Sequence, residues 1–206
     1  HPLNKKREKE GKLPANTILA RGSAKYPEVD SVQELYGIEA SVVAAGALYK
    51  GVASVCGMEV KDAEGADGTV NSNILNKAKL AVEELNNGKD LVFVHFKGTD
   101  NASHDHKAED KIKFIEKIDE TFAWFDENVN WEDTHLAFAS DHSTPIQSGE
   151  HVADPVPVLI KGPSIRVDEV KAFNEQSCAN GGLNRFSSQL LPILLSYSNL
   201  TDKFGA

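Results

Sequence analysis

Two short apolar runs, Ala40-Ser41-Val42-Val43-Ala44-Ala45 and Leu91-Val92-Phe93-Val94-His95-Phe96, constrain this chain more than any other feature. The first reads as a strand buried on both faces. The second is uncharged throughout and rich in strand-forming residues. Between them, Ile74, Ala78, Ala81, Val82 and Leu85 share one helical face behind a cap at Ser72 or Asn73, and Asn86-Asn87-Gly88 supplies the stop. Short buried strands alternating with helices predict an α/β fold, a mostly parallel sheet flanked by helices.

The alternation continues downstream. A helix is predicted over 108–127, with Ile112, Ile115, Ile118, Phe122 and Phe125 recurring three or four residues apart. Leu136-Ala137-Phe138-Ala139 and Val156-Pro157-Val158-Leu159-Ile160 read as further strands, the proline placing the latter at an edge or at the strand's first residue. A last helix is predicted over 187–196, kinked at Pro192. The small-residue stretch 51–60 signals close packing without settling between helix and loop, and Glu64-Gly65-Ala66-Asp67-Gly68-Thr69 is a turn. The first thirty residues read differently. They open on a charged stretch, pass through Pro14-Ala15-Asn16-Thr17-Ile18-Leu19, and suggest either the edge of another domain or a solvated tail.

Charge and cysteine content narrow the function classes. Lys plus Arg number 22 against 31 Asp plus Glu, a net charge of −9, which disfavours binding to nucleic acid through its phosphates. The two cysteines, Cys56 and Cys178, lie far apart and form neither a disulfide framework nor a metal knuckle. No apolar run approaches the ~18 residues of a membrane-spanning helix. A soluble protein of a reducing compartment, the cytoplasm, is the expectation. The sequons at Asn101 and Asn199 are read as chance matches.

The chemistry is concentrated in two polar segments, each following a predicted strand. One is Lys97-Gly98-Thr99-Asp100-Asn101-Ala102-Ser103-His104-Asp105-His106; the other is Ser140-Asp141-His142-Ser143-Thr144-Pro145, with His151 beyond it. Strand carboxyl ends are where open α/β sheets bind ligands, so the two segments are expected to be neighbours. Carboxylate oxygens with neutral imidazoles suit zinc, manganese, iron or cobalt. Asp100 and His104, four apart, can reach one ion from a loop or a helix start. Asp141 and His142 can address the same ion or a second one. His95, His106 and His135 are read as ordinary histidines, Cys178 as structural, and Glu116 and Asp119 as a solvated helix face shared with Lys113 and Lys117.

The pieces His95-Phe96-Lys97-Gly98-Thr99-Asp100 through His104, Ile115-Glu116-Lys117-Ile118-Asp119, Ala139-Ser140-Asp141-His142-Ser143-Thr144-Pro145 and the segment 151–157 occur in this order. With Lys12-Leu13-Pro14-Ala15-Asn16-Thr17-Ile18-Leu19-Ala20-Arg21-Gly22 and Lys203-Phe204-Gly205-Ala206, they make the chain resemble the cofactor-independent phosphoglycerate mutases of archaeal type, within the alkaline-phosphatase-like superfamily.

That resemblance implies interconversion of 3-phosphoglycerate and 2-phosphoglycerate through a phosphoserine intermediate at a two-metal site. It needs no 2,3-bisphosphoglycerate; the ions would be manganese, zinc, cobalt or magnesium. One ion would be held by Asp100, His104 and His151. The second would be held partly by Asp141 and His142, its other ligands being an aspartate and the nucleophilic serine of a preceding half. Lys97 and Arg21 would meet the substrate's phosphate and carboxylate.

Departures from the family pattern are informative. No segment supplies that aspartate and serine, and Ser103, Ser140 and Ser143 do not occupy the nucleophile's place. His106 and Lys107 replace the usual small and acidic residues, and Gly65-Ala66-Asp67-Gly68-Thr69 is a loose version of its segment. The resemblance therefore implies a C-terminal portion of such an enzyme. Residues 1–30 would be the remnant of an inserted substrate or lid domain and its return linker; residues 31–206 would be the C-terminal part of an incomplete metal-binding domain. The expected partners are a phosphoglycerate and the N-terminal half, with homo-oligomerisation left open. Two other readings are a metal-dependent phosphomonoester hydrolase of the same superfamily and a non-catalytic metal-binding or interaction module.

Overall fold

Ala40–Val43 (β1) is buried at every position because it lies in the middle of a sheet with helices on both faces. The computed structural model describes residues 1–20, 22–183 and 187–201. A charged helix Pro2–Lys9 (α1), which the sequence reading did not anticipate, and a capped turn of helix Val32–Tyr36 (α2) precede β1. After it come helix Ala47–Val55 (α3), strand Glu59–Lys61 (β2), helix Ile74–Asn86 (α4) and strand Leu91–Val94 (β3). The three strands are parallel in the order β2-β1-β3, with Ala40 opposite Leu91 and Ser41 opposite Glu59. The predicted α/β architecture with a parallel sheet is borne out, and the undecided stretch 51–60 resolves into the end of α3 and the start of β2.

α3 packs Ala53 against Val42 and Ala44 on one face. α4, capped by Asn73, covers the other with Ile74, Ala78 and Ala81. Lys77 on α4 is fully buried, and its ammonium donates to the His95 carbonyl at 2.7 Å. That bond ties the carboxyl end of β3 to the helix beneath it. Burial holds Lys77 below its ordinary pKa.

Two elements differ from expectation beyond β3. The polar segment starting at Lys97, expected as a loop, forms helix Gly98–His104 (α5). It is followed by the long helix Ala108–Asn128 (α6). The expected stripe on α6 is wrong in part: Ile112 and Ile115 are exposed, while Phe114, Thr121 and Phe125 are buried. The buried set faces α4 and α5, which both pack on α6, and the isoleucines lie off that line. A Cβ at Gly98 would stand 2.4 Å from the Phe114 ring, so any side chain there forces α5 or the ring to shift.

Leu136–Ala139 (β4) and Val158–Lys161 (β5) form a separate antiparallel pair, not a continuation of the parallel sheet. No helix lies between them, and the absence of a crossover helix goes with antiparallel rather than parallel pairing. β5 begins immediately after Pro157, which leaves the missing N–H outside the ladder. A helical turn Glu175–Cys178 (α7), a short 3-10 segment at 187–189 and helix Leu190–Tyr197 (α8) complete the described chain. Pro192 lies in the first turn of α8, where its missing N–H breaks no intrahelical bond and no kink follows from it. Among the described residues, no helix is long and apolar enough to cross a membrane.

Candidate metal centre

α5 aims Asp100 and His104 the same way, because residues four apart lie one turn above each other. His151 arrives from the loop between β4 and β5. That loop folds back through a bridge between Ser143 and Val152. The result brings three expected ligands together: His104 Nε2 is 3.3 Å from Asp100 Oδ1, His151 Nε2 is 3.5 Å from the same oxygen, and the two Nε2 atoms are 3.2 Å apart. Among the described residues, this is the one cluster of three His, Cys or acidic groups able to hold an ion.

The donors fit a metal on independent grounds. His104 Nδ1 lies 2.6 Å from the Gly149 carbonyl, which can only accept, so Nδ1 carries a hydrogen and, in the neutral ring, Nε2 holds the lone pair. That lone pair faces the Asp100 carboxylate, an apposition that either a proton on Nε2 or a metal cation between the two relieves. The three spacings are those of atoms about 2.0–2.2 Å from a common centre at roughly tetrahedral angles. One carboxylate and two imidazoles suit zinc, manganese, iron or cobalt.

Lys97 lies beside the cluster. Its ammonium donates to Asp100 Oδ2 at 2.6 Å and stands over the Tyr49 ring. Burial alone would raise the Asp100 carboxyl, but the bond and charge of Lys97, helped by His104 and the Thr144 hydroxyl, hold it below its ordinary value. Burial would likewise lower Lys97, and its bond to Asp100 more than offsets that. Both groups therefore stay charged.

Asp141 and His142 sit in the loop after β4. Asp141 Oδ2 is 3.4 Å from His142 Nε2, and the His142 ring stacks on that of His151 with centroids 3.6 Å apart. The five expected metal residues thus form one continuous patch. Arg21, the other expected substrate contact, lies outside the described residues.

The remaining histidines divide. His135 bonds the Pro163 carbonyl and the Ser198 hydroxyl, an ordinary satisfied histidine. His95 stacks on Tyr49 at 3.6 Å; burial, aided by Lys77, pushes it down to about 4. His106 has a left-handed backbone (φ 56°), as befits a position where the family resemblance expects a small residue, and bonds the Ile146 carbonyl. Ser103 is buried, with no base against its hydroxyl among the described residues.

Three contributors escaped the sequence reading: Tyr49, Thr144 and Gly149. Thr144 stood inside the quoted Ser140–Pro145 run, but a hydroxyl between ligands carries no spacing signature. Gly149 acts through its carbonyl, which sequence does not display.

Comparison with known proteins agrees. A family model described as the Metalloenzyme superfamily matches residues 1–196. The chain is 42% identical over 207 residues to 2,3-bisphosphoglycerate-independent phosphoglycerate mutase 1 of Methanocaldococcus jannaschii, and 42% identical over 208 residues to the 2,3-bisphosphoglycerate-independent phosphoglycerate mutase of Thermococcus kodakarensis. Both alignments cover 100% of this chain and 50% of the relative, so the chain spans half the length of these relatives. The solved structure of the PH0037 protein from Pyrococcus horikoshii superposes with a TM-score of 0.85 at 41% identity, over 90% of this chain and 57% of that one. The cofactor-independent phosphoglycerate mutase from Thermoplasma acidophilum gives a TM-score of 0.64 at 27% identity, over 96% of this chain and 47% of that one. The archaeal-type mutase resemblance read from the motifs is thereby borne out, and the chain belongs to the metalloenzyme superfamily.

Proposed function

We propose that this chain carries most of the metal ligands of a phosphoglycerate mutase and that the nucleophile comes from outside its 206 residues. The observation that carries the reading is the convergence of Asp100 Oδ1, His104 Nε2 and His151 Nε2 on one point. Asp100, His104 and His151 hold one ion; Asp141 and His142 supply part of the site for a second. Bound there, two ions would supply positive charge to the attacking and leaving oxygens of an in-line phosphoryl transfer. A serine of the complementary half takes the phosphoryl group from 3-phosphoglycerate and returns it to the neighbouring hydroxyl, splitting one hard transfer into two. Lys97, kept protonated by Asp100, offsets charge on an anionic oxygen of the substrate, and Arg21 takes the same role from the 1–30 segment.

Residues 1–30 serve in this reading as the return from an inserted substrate or lid domain, and 31–206 as the C-terminal part of the metal domain. Ile18 and Leu19 are 92% and 83% exposed, apolar surface that none of the described residues covers and that the complementary half would. The protein is read as cytoplasmic.

The test joins this chain to the N-terminal half of a relative and assays both forms with Mn²⁺. The expected result is one ion and no turnover for the chain alone, and two ions with formation of 2-phosphoglycerate for the joined protein. Release of free phosphate would replace the mutase reading with the hydrolase one. Metal uptake without turnover in either form would favour a non-catalytic module.

A further inference from the structure

Thr144 is 6% exposed and lies between the two sets of expected ligands. Its hydroxyl donates to Asp100 Oδ1 at 3.2 Å, and His142 Nδ1 lies 3.1 Å from the same hydroxyl oxygen. Its own position is fixed from other elements. Lys111 of α6 donates to the Thr144 carbonyl at 3.0 Å, and the preceding residue is held by the Val152 N–H donating to the Ser143 carbonyl at 3.0 Å. A β-branched side chain adds stiffness at χ1.

For a neutral His142 ring the donor count leaves one arrangement. The Asp100 carboxylate is ionised and can only accept, so the single Thr144 hydrogen goes to it. The Thr144 oxygen is left as an acceptor, and His142 must reach it with an N–H at Nδ1. The hydrogen of the neutral ring is then used, and His142 Nε2 keeps its lone pair, 3.4 Å from Asp141 Oδ2. His104 reaches the same state independently through the Gly149 carbonyl.

We propose that Thr144 is a positioning residue shared by the two sites: through one hydroxyl it orients Asp100 of the first and sets the tautomer of His142 in the second. The inference rests on the reading of these residues as metal ligands, but its core, the tautomer, does not need a bound ion. A bond partner beyond the ligand is the usual device for fixing a metal-binding imidazole, and its loss costs about 10–100-fold in affinity. Here one hydroxyl serves two ligands from different elements, so its loss disturbs both.

The experiment uses the full 206-residue chain labelled with ¹⁵N at the histidine rings, metal-free and at a pH where the rings are neutral. Ring nitrogen shifts are expected to show His142 protonated at Nδ1. Thr144→Val keeps shape and loses the hydroxyl; it should release His142 to the other tautomer or a mixture, and weaken Mn²⁺ binding at the Asp100 site about 10-fold or more by titration. Thr144→Ser should restore the tautomer and most of the affinity. A wild-type His142 protonated at Nε2 overturns the inference, even if Thr144→Val fails to fold. So does a folded Thr144→Val with unchanged ring shifts and unchanged affinity. Wild-type protein that takes up no divalent ion refutes the metal reading instead; the ring shifts still decide the Thr144–His142 link.

Discussion

Helix α5 and the loop from 140 to 151 deliver the proposed metal ligands to one patch by different physical means. On α5, one helical turn aligns Asp100 with His104, and the buried Gly98, Ala102 and Ser103 seat the helix in the protein. Packing does the positioning. The loop buries Thr144 and Gly149 but has no regular element of its own to seat them. Asp141, His142 and His151 are arranged by bonds to other elements: Lys111 to the Thr144 carbonyl, His106 to the Ile146 carbonyl, Thr144 to Asp100, and the turn in which Gly149 N donates to the Pro145 carbonyl. One half of the site is held by close contact and the other by hydrogen bonds, so the two should fail differently when altered.

The largest difference is expected between the two aspartates. Asp100→Ala removes a proposed ligand, the partner of Lys97 and the acceptor of Thr144 together. Its effect on Mn²⁺ affinity should exceed the ~10–100-fold typical of losing a supporting partner. Asp141→Ala, whose carboxylate is exposed and bonds its neighbour His142, should leave affinity at the first site within a few-fold. Calorimetric titration of both variants decides it. Comparable losses would mean that the five residues form one site, and would break the division into two.

The same division explains what could be read from the sequence. The strands at 40–43 and 91–94 and the spacing from Asp100 to His104 were legible because local pattern carries them. That α5 is a helix was not, since Gly98-Thr99-Asp100-Asn101 is turn-like in composition and the seat of Gly98 against Phe114 is a tertiary contact. Ile112 and Ile115 had the right period but the wrong neighbours, because the faces α6 buries are chosen by α4 and α5. The convergence of His151 with His104 depends on backbone carbonyls and a β-bridge in a loop, none of which has a residue-type signature.

Two glycines sharpen the contrast at smaller cost. Gly98→Ala drives a methyl into the buried Phe114 ring, an overpacking worth about 1–3 kcal/mol, and should appear chiefly as a lower urea midpoint. Gly149→Ala meets a left-handed backbone (φ +63°) costing about 1–2 kcal/mol, and its Cβ would stand 2.7 Å from the His106 ring. Since the Gly149 carbonyl orients His104, this variant should lose metal affinity out of proportion to its stability. Paired urea and Mn²⁺ titrations separate the two; a reversal of the pattern would show that packing, not hydrogen bonding, holds the loop.

A pH dependence follows from His95, which belongs to the packed side of the comparison. Burial, with Lys77 nearby, moves it from 6.5 in the unfolded chain to about 4 in the fold. Between those values the unfolded state binds the extra proton, so stability falls as pH drops from 6.5 toward about 4. Asp100, held below 3.8, adds a loss in the same direction only at still lower pH. His95→Phe keeps a ring against Tyr49 and removes the titrating group. Its urea midpoint should be flatter than wild type across that window; parallel curves would assign the dependence to other groups.

The smallest effect is expected from His106→Gly, because two terms oppose each other. Glycine relieves the left-handed backbone at φ 56°, worth about 1–2 kcal/mol. It also loses the bond from His106 Nδ1 to the Ile146 carbonyl, about 0.5–1.5 kcal/mol, and the ring that lies against Gly149. Stability should therefore move by less than about 1 kcal/mol in either direction. The bond, however, belongs to the loop that carries His151. If hydrogen bonds position that loop, Mn²⁺ affinity should fall while the urea midpoint stays nearly fixed. If both stay fixed, the loop keeps its shape without His106, and the Ser143–Val152 bridge with the Thr144 bonds is enough to hold it.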